Sequence, residues 1–346
     1  MRTRGPPHPH VVLAALALTA ALGVLLMRAP AAEPFQNETS RETIFVSVAS
    51  YRDDDCSQTL RSMFQQAARP DRVYAGVCQQ NKAGETKEEC VDPLMPWRRN
   101  VRVITVPHTA AKGPTYARYL CASLYDGETY FLQIDSHTQF QQGWDQHVIE
   151  DLKKCPSARA VLSYYPHDSK SDASAKTSTV PVLCKSKFNP DNIVTFEAVS
   201  MEASRTTPKP IPFVAGGFMF GPGQMVREVP FDPTLEHLFH GEEILYSARL
   251  WTSGYDMFAP LRNVAFHYYT RSDKPKFWGD IQNYHETQKR SQDRVVRLLG
   301  LDGQPAEAAG AYKYGMGSAR TLAQYLAFAG LDPSRKTSVS EQKFCT

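Results

Sequence analysis

The stretch Tyr130-Phe131-Leu132-Gln133-Ile134-Asp135-Ser136-His137 constrains this chain more than any other. An aromatic and aliphatic run of strand character stops at a carboxylate, and an imidazole follows two residues later. Residues two apart in extended backbone face the same way, so Asp135 and His137 present two metal-compatible ligands on one side of the chain. At the carboxyl end of a parallel strand, such a pair stands where open α/β sheets bind their ligands. The plainer alternative is a strand end with an aspartate cap and a surface histidine. The triplet alone does not choose between the two.

The surrounding pattern gives the strand its context. Ile44 to Ala49 reads as the first buried strand, running into the polar turn Ser50-Tyr51-Arg52-Asp53-Asp54-Asp55, which can cap a helix. Leu60, Met63, Phe64 and Ala67 then fall at the i, i+3, i+4, i+7 spacing of a core-facing helix that Pro70 ends. Further strands are expected at Val73–Val77, Val101–Val106 and Tyr130–Ile134. A long polar loop spans Gln79 to Asn100, and a helix from Tyr116 to about Leu124 carries Arg118 near its start. Strand, helix, strand, strand, helix, strand is the pattern of a mostly parallel, Rossmann-like α/β sheet flanked by helices. No GxGxxG follows the first strand, which disfavours an ordinary dinucleotide fold. Ser50, Arg52 and Asp53 can hold a nucleobase and ribose there instead, while Asp135 and His137 meet phosphates. A helix over Gly143–Leu152, a strand over Leu162–Tyr165 and a loop from His167 to Thr179 follow. From about Val180 the alternation weakens and proline is frequent, so this half is expected to be more irregular.

Three features of that half carry chemistry. Phe213 to Phe220 places Gly216 and Gly217 inside an apolar run, which in a strand implies close approach of a ligand or another backbone, or else a bulge. His240-Gly241-Glu242-Glu243 opens an amphipathic helix, where two carboxylates either act on a substrate or simply favour the helix dipole. Phe266-His267-Tyr268-Tyr269-Thr270-Arg271 ends a further strand in another imidazole. Alone His267 reads as structural; beside Asp135 and His137 it becomes a candidate third ligand.

The 346-residue chain is 42% hydrophobic, ample for one large domain or two ordinary ones, and its net charge of +3 argues against a nucleic-acid partner. Val11 to Met27 is a nearly unbroken apolar run flanked by Arg2, Arg4 and Arg28, just long enough to span a membrane. It is expected to be the signal anchor of a single-pass type II membrane protein, with a cytosolic tail over 1–10 and a stem over 28–42. Ala29-Pro30-Ala31 keeps a cleaved signal, and a secreted or lumenal product, as the alternative. Asn37-Glu38-Thr39 is a glycosylation sequon. The folded domain is expected over 43–335 and a C-terminal tail over 336–346. Seven cysteines without a CxxC pair disfavour a zinc ribbon. In an oxidising lumen some should pair, and Cys78 with Cys90 is the expected bridge.

Taken together, Ile44–Asp53, Phe131–Phe140 with Trp144-Asp145, Phe213–Phe220, His240–Leu250, Phe266–Arg271 and Tyr314–Gly317 resemble a glycosyltransferase of the GT-A type. More closely, the chain resembles the GlcNAc-transferases that act on protein hydroxyl groups, and more distantly the polypeptide GalNAc-transferases. The resemblance implies UDP-GlcNAc as donor, a divalent cation, most simply Mn2+, and retaining transfer to a Thr, Ser or hydroxyproline hydroxyl of a protein or peptide. It implies Asp135, His137 and His267 as metal ligands, and Lys112, Arg118, Gly216, Gly217 and Arg271, with Ser50, Arg52 and Asp53, as the donor-binding set. Glu243 is the first choice for the carboxylate that holds the donor sugar or acceptor hydroxyl, with Glu242 beside it. With the anchor, it implies a Golgi enzyme whose catalytic domain is lumenal. Two other readings fit the same residues: a membrane-anchored carbohydrate- or partner-binding module without catalysis, and a metal-dependent hydrolase that needs no sugar nucleotide.

Overall fold

The computed structural model describes residues 42–170, 178–203 and 205–346. The expected anchor over 11–27, the sequon at Asn37 and nearly all of the stem lie outside these residues. Among the described residues no helix is long and apolar enough to cross a membrane.

Four parallel strands form one half of an eight-stranded sheet: β1 (Ile44–Tyr51), β2 (Val73–Asn81), β3 (Val101–Pro107) and β4 (Tyr130–Asp135), in spatial order β3-β2-β1-β4. Val46, Val48, Ala75, Val77, Phe131 and Leu132 are buried, as strands covered on both faces require. The chain steps from β1 to β2 on one side and returns to β4 on the other, with Ala49 paired to Asp135. The carboxyl ends of β1 and β4 therefore meet where the winding reverses, the crevice in which such sheets hold ligands. Helix α1 (Cys56–Gln66) follows β1 and α2 (Pro114–Ala122) precedes β4. Pro70 does not end α1, which stops at Gln66; Asp145 instead accepts the N–H groups of Ala68 and Arg69 at 2.8 and 2.9 Å.

After β4 come β5 (Thr138–Phe140), α3 (Trp144–Lys153), β6 (Ala160–Ser163), β7 (His167–Asp168), β8 (Thr179–Phe188), β9 (Val194–Glu202), β10 (Lys209–Pro210) and β11 (Phe218–Pro222). Helix α4 (Glu242–Thr252), β12 (Asp256–Ala259), β13 (Ala265–His267) and α5 (Tyr284–Leu299) follow. The second half of the large sheet runs β10-β12-β6-β11 and joins β4 through antiparallel β11. A small sheet of order β5-β13-β7 lies beside the switch point, and β8 with β9 forms a separate long hairpin. The half expected to be irregular thus contains two of the longest strands. Val182, Leu183 and Cys184 of β8 and Phe196 of β9 pack into the core, which repays the proline at 181. The glycine pair also differs from expectation, since Gly216 and Gly217 lead into β11 rather than sitting inside it.

Cys56 pairs with Cys90 and Cys184 with Cys345, which overturns the expected Cys78–Cys90 bridge. Cys78 points from β2 towards α2 and clusters with Ala117 and Cys121, on the face away from the loop that carries Cys90. Residues 336–346 pack against the domain through Phe344 and the Cys184–Cys345 bridge. Peptide mapping without reductant is expected to recover Cys56–Cys90 and Cys184–Cys345. Replacing Cys56 and Cys90 together by serine should cost roughly 3–4 kcal/mol in denaturant unfolding, the loop-closure value for their separation. A recovered Cys78–Cys90 peptide would contradict the pairing.

Candidate functional site

Three carboxyl-end segments meet around one cavity of about 510 Å3. Asp135 ends β4 and His137 lies two residues on. The turn between them is fastened to α1, where the Thr59 hydroxyl donates to the Ser136 carbonyl at 2.7 Å and accepts the Thr138 N–H at 3.0 Å. His267 arrives from 130 residues away because β13 pairs with β5, setting His267 opposite Thr138. The Tyr268 N–H donates to the His137 carbonyl at 3.1 Å, and the Tyr164 hydroxyl accepts the N–H groups of Val264 and Ala265 to hold β13 in place. The two imidazole rings stand 4.6 Å apart, and His267 Nε2 is 3.0 Å from Asp135 Oδ2.

These donors suit a divalent cation. One ligand atom each from Asp135, His137 and His267 lies within 4.8 Å of the other two. On an octahedral ion with ligands at about 2.1 Å, neighbouring donors are about 3.0 Å apart and opposite ones about 4.2 Å. His137 turns its Nδ1 to Asp53 Oδ2 at 2.9 Å, leaving Nε2 for the site, an arrangement that fixes ring and tautomer in metal centres. The His267 Nδ1 is buried without a hydrogen-bond partner among the described residues. Asp53 is itself braced by the Ser136 hydroxyl at 2.5 Å and by Arg271 at 2.7 Å. Burial pushes the Asp53 carboxyl up, but His137 and Arg271 outweigh it and hold it below the usual range. Asp135 is likewise pushed up by burial, yet the His267 hydrogen bond and the Arg118 charge hold it well below that range.

Arg118, from α2, is the central cation. Its guanidinium binds Glu242, Asp135 Oδ1 at 3.1 Å and the Gly216 carbonyl at 3.0 Å. That carbonyl also accepts from Gln133 at 2.7 Å, while the Gly216 N–H donates to Glu243 Oε1 at 2.7 Å. The glycines permit this crowding. A Cβ on Gly217 would sit 3.1 Å from Asp135 Oδ2, and one on Gly216 3.0 Å from the guanidinium. Glu243 Oε2 accepts the Tyr165 hydroxyl at 2.6 Å. Burial raises the Glu243 carboxyl to about 7, although Tyr165 and Gly216 pull the other way.

The remaining candidates divide by position. Asp53, Arg118, Gly216, Gly217, Glu242, Glu243 and Arg271 line the cavity with the three ligand candidates. Ser50 is buried in β1, and Arg52, at φ 45°, pairs with Glu88 at 3.1 Å and Asp280 at 2.7 Å. Lys112 pairs with Glu236 at 2.7 Å; none of these three is among the lining residues. The sequence reading missed Tyr165 and the aromatic rim of Phe239, Tyr269 and Trp278, which are 41–48% exposed. Tyr165 stands two residues past the end of β6, and the end of a sheet strand was the signal that could have found it.

The family described as Glycosyltransferase (GlcNAc) matches residues 43–96 and 86–335, which together span most of the chain. The chain belongs to this GlcNAc glycosyltransferase family. Its structure is similar to GalNAc-T7 solved with UDP, GalNAc and Mn2+, with a TM-score of 0.55 and 13% identity, over 83% of this chain and 57% of that one. The chain thus spans little more than half of that protein, and the likeness establishes a shared GT-A fold. S. aureus TarS residues 1–349 is a weaker match, with a TM-score of 0.47 and 11% identity, over 77% of this chain and 67% of that one. No curated protein matches the sequence.

Glu243 gives a test by pH. Its folded value of about 7 lies above the ordinary 4.5, so between those values the unfolded chain has released a proton that the folded chain keeps. Stability conferred by the neutral carboxyl is therefore present at low pH and lost as pH rises through that window, by roughly 3 kcal/mol. Glu243→Gln should flatten this decline in urea unfolding measured from pH 4.5 to 8. An unchanged slope would place the titration elsewhere.

Proposed function

We propose that this glycosyltransferase moves N-acetylglucosamine from UDP-GlcNAc to a Ser, Thr or hydroxyproline hydroxyl of a protein, with retention of configuration. The observation that carries the reading is the meeting of Asp135, His137 and His267 in a cavity whose wall also holds the Glu243 carboxyl. Its size suits a sugar nucleotide. The family description is consistent with the choice of sugar.

Bound by Asp135, His137 and His267, a divalent cation supplies Lewis-acid neutralisation of the charge that develops on a departing diphosphate. Mixed carboxylate and imidazole ligation suits Mn2+ better than Mg2+, which favours all-oxygen shells. Arg118 keeps Asp135 ionised and aimed, and Asp53 fixes the His137 ring through its Nδ1. Glu242 is occupied by Arg118, so its part is to hold that cation. Glu243 is the free-standing carboxylate, fixed by Tyr165 and Gly216, and near neutral pH it can accept a hydroxyl proton from sugar or acceptor. The acceptor oxygen forms the new bond to the anomeric carbon, UDP carries away the bonding pair, and the hydroxyl proton is released. No residue is assigned as a covalent nucleophile. We further infer that the domain works in the Golgi lumen behind the apolar segment over 11–27, a placement supported by two disulfides, which persist in oxidising compartments.

The purified chain, given Mn2+, a panel of UDP-sugars and Thr- or hydroxyproline-containing peptides, is expected to transfer from UDP-GlcNAc. Asp135→Ala should lower the rate about a thousand-fold, the equivalent of the several kcal/mol a Lewis acid supplies. A chelator should do the same to the wild type, reversibly on adding Mn2+. Undiminished transfer in chelator would contradict the metal role, and transfer only from another UDP-sugar would contradict the assigned donor.

A further inference from the structure

The strand β9 is an edge. Its inner side pairs with β8, and among the described residues no strand pairs with its outer side. The register determines which main-chain groups face outward. At one end of the hairpin the Asn189 N–H donates to the Ile193 carbonyl at 2.9 Å, and at the other the Ala203 N–H donates to the Ser178 carbonyl at 2.8 Å. Bonded and unbonded pairs alternate along an antiparallel ladder. Counting from both ends, Thr195, Glu197, Val199 and Met201 bond to β8, whereas Val194, Phe196, Ala198 and Ser200 turn their N–H and C=O groups away. The irregularity at Leu183/Lys185 adds its extra residue to β8, so the alternation along β9 is unbroken. Pro181 lies opposite Ser200, where the ladder needs no N–H.

This edge leads into the site. Val194, Thr195 and Phe196 line the same cavity as Tyr165 and Glu243, whereas Ser200 and Glu202 at the other end are exposed. Proteins blunt open edges with proline or lysine, because an unpaired row of donors and acceptors takes up any extended chain. The sequence of β9, VTFEAVSME, contains neither.

We propose that the outer edge of β9 is the acceptor's docking edge: an extended peptide adds to the hairpin as a third strand and brings its hydroxyl residue into the cavity at Glu243. This inference rests on the transferase reading and specifies the shape of acceptor that reading requires. Main-chain bonds supply affinity in this mode, and only every second peptide residue faces β9 with its N–H. The recognised partner is therefore an extended, unfolded segment around a Ser, Thr or hydroxyproline, not a hydroxyl on a folded helix.

The test uses the full chain with UDP-GlcNAc, Mn2+ and a short alanine-rich peptide bearing one central threonine, N-methylated at one position at a time. Methylation at alternate positions on one side of the threonine should raise the peptide KM roughly five-fold each, the effect of one lost hydrogen bond, with the intervening positions silent. Ser200→Pro, which deletes an outward N–H and no ladder bond, should raise the peptide KM while the KM for UDP-GlcNAc stays that of the wild type. A KM indifferent to N-methylation, or sensitive without alternation, overturns the docking edge. Hydrolysis of UDP-GlcNAc with no transfer to the peptide also overturns it, but leaves the donor chemistry standing. Absence of both hydrolysis and UDP binding removes the transferase reading and this inference with it.

Discussion

Four carboxylates, Asp53, Asp135, Glu242 and Glu243, share one cavity, and a site removed from water holds such charge only where cations or strong donors meet it. Three of them are met by guanidinium groups. Arg118 binds Asp135 and Glu242, and Arg271 binds Asp53. The fourth, Glu243, has the neutral Tyr165 hydroxyl and Gly216 N–H as its hydrogen-bond partners among the described residues, and burial raises its carboxyl to about 7. The same constraint sorts the roles. Asp53 and Asp135, held below the usual carboxylate range, are ionised and fixed, while Glu243 is poised to exchange a proton.

That balance depends on fold elements far apart in sequence. The parallel winding of β1, β2 and β4 brings Asp53, just past the end of β1, and Asp135, at the end of β4, to one cavity at the switch point. Pairing of β13 with β5 delivers His267, and the helix start at Glu242 delivers the two glutamates. Behind that helix, the Tyr314–Gly317 turn fastens its last turn: the Gly317 N–H donates to the Thr252 hydroxyl at 2.9 Å and Arg249 donates to the Gly315 carbonyl at 3.2 Å. The motif therefore acts at a distance, by holding the scaffold of the glutamates.

Much of this was legible in the residues themselves. Asp135 and His137 stand out because a buried strand ending in Asp-x-His is chemically odd, and the glycines because an apolar run has little use for them unless something approaches closely. What stayed hidden depends on through-space partners. Nothing in the sequence says that Cys56 rather than Cys78 faces Cys90, since that turns on which side of β2 each lies. Glu242 and Glu243 look equivalent as neighbours, yet one points to Arg118 and the other to Tyr165. The β8–β9 hairpin was obscured by Pro181 and by a core contribution confined to its inner residues, so no clean period of two survived.

The central claim is that Asp135, His137 and His267 hold one cation beside a bound diphosphate. Anomalous diffraction at the manganese edge, from crystals of the chain grown with UDP and Mn2+, tests it most directly. The account predicts a single strong peak within bonding distance of all three side chains and of the diphosphate oxygens. A peak elsewhere, or ordered UDP with no peak between those three residues, would contradict it.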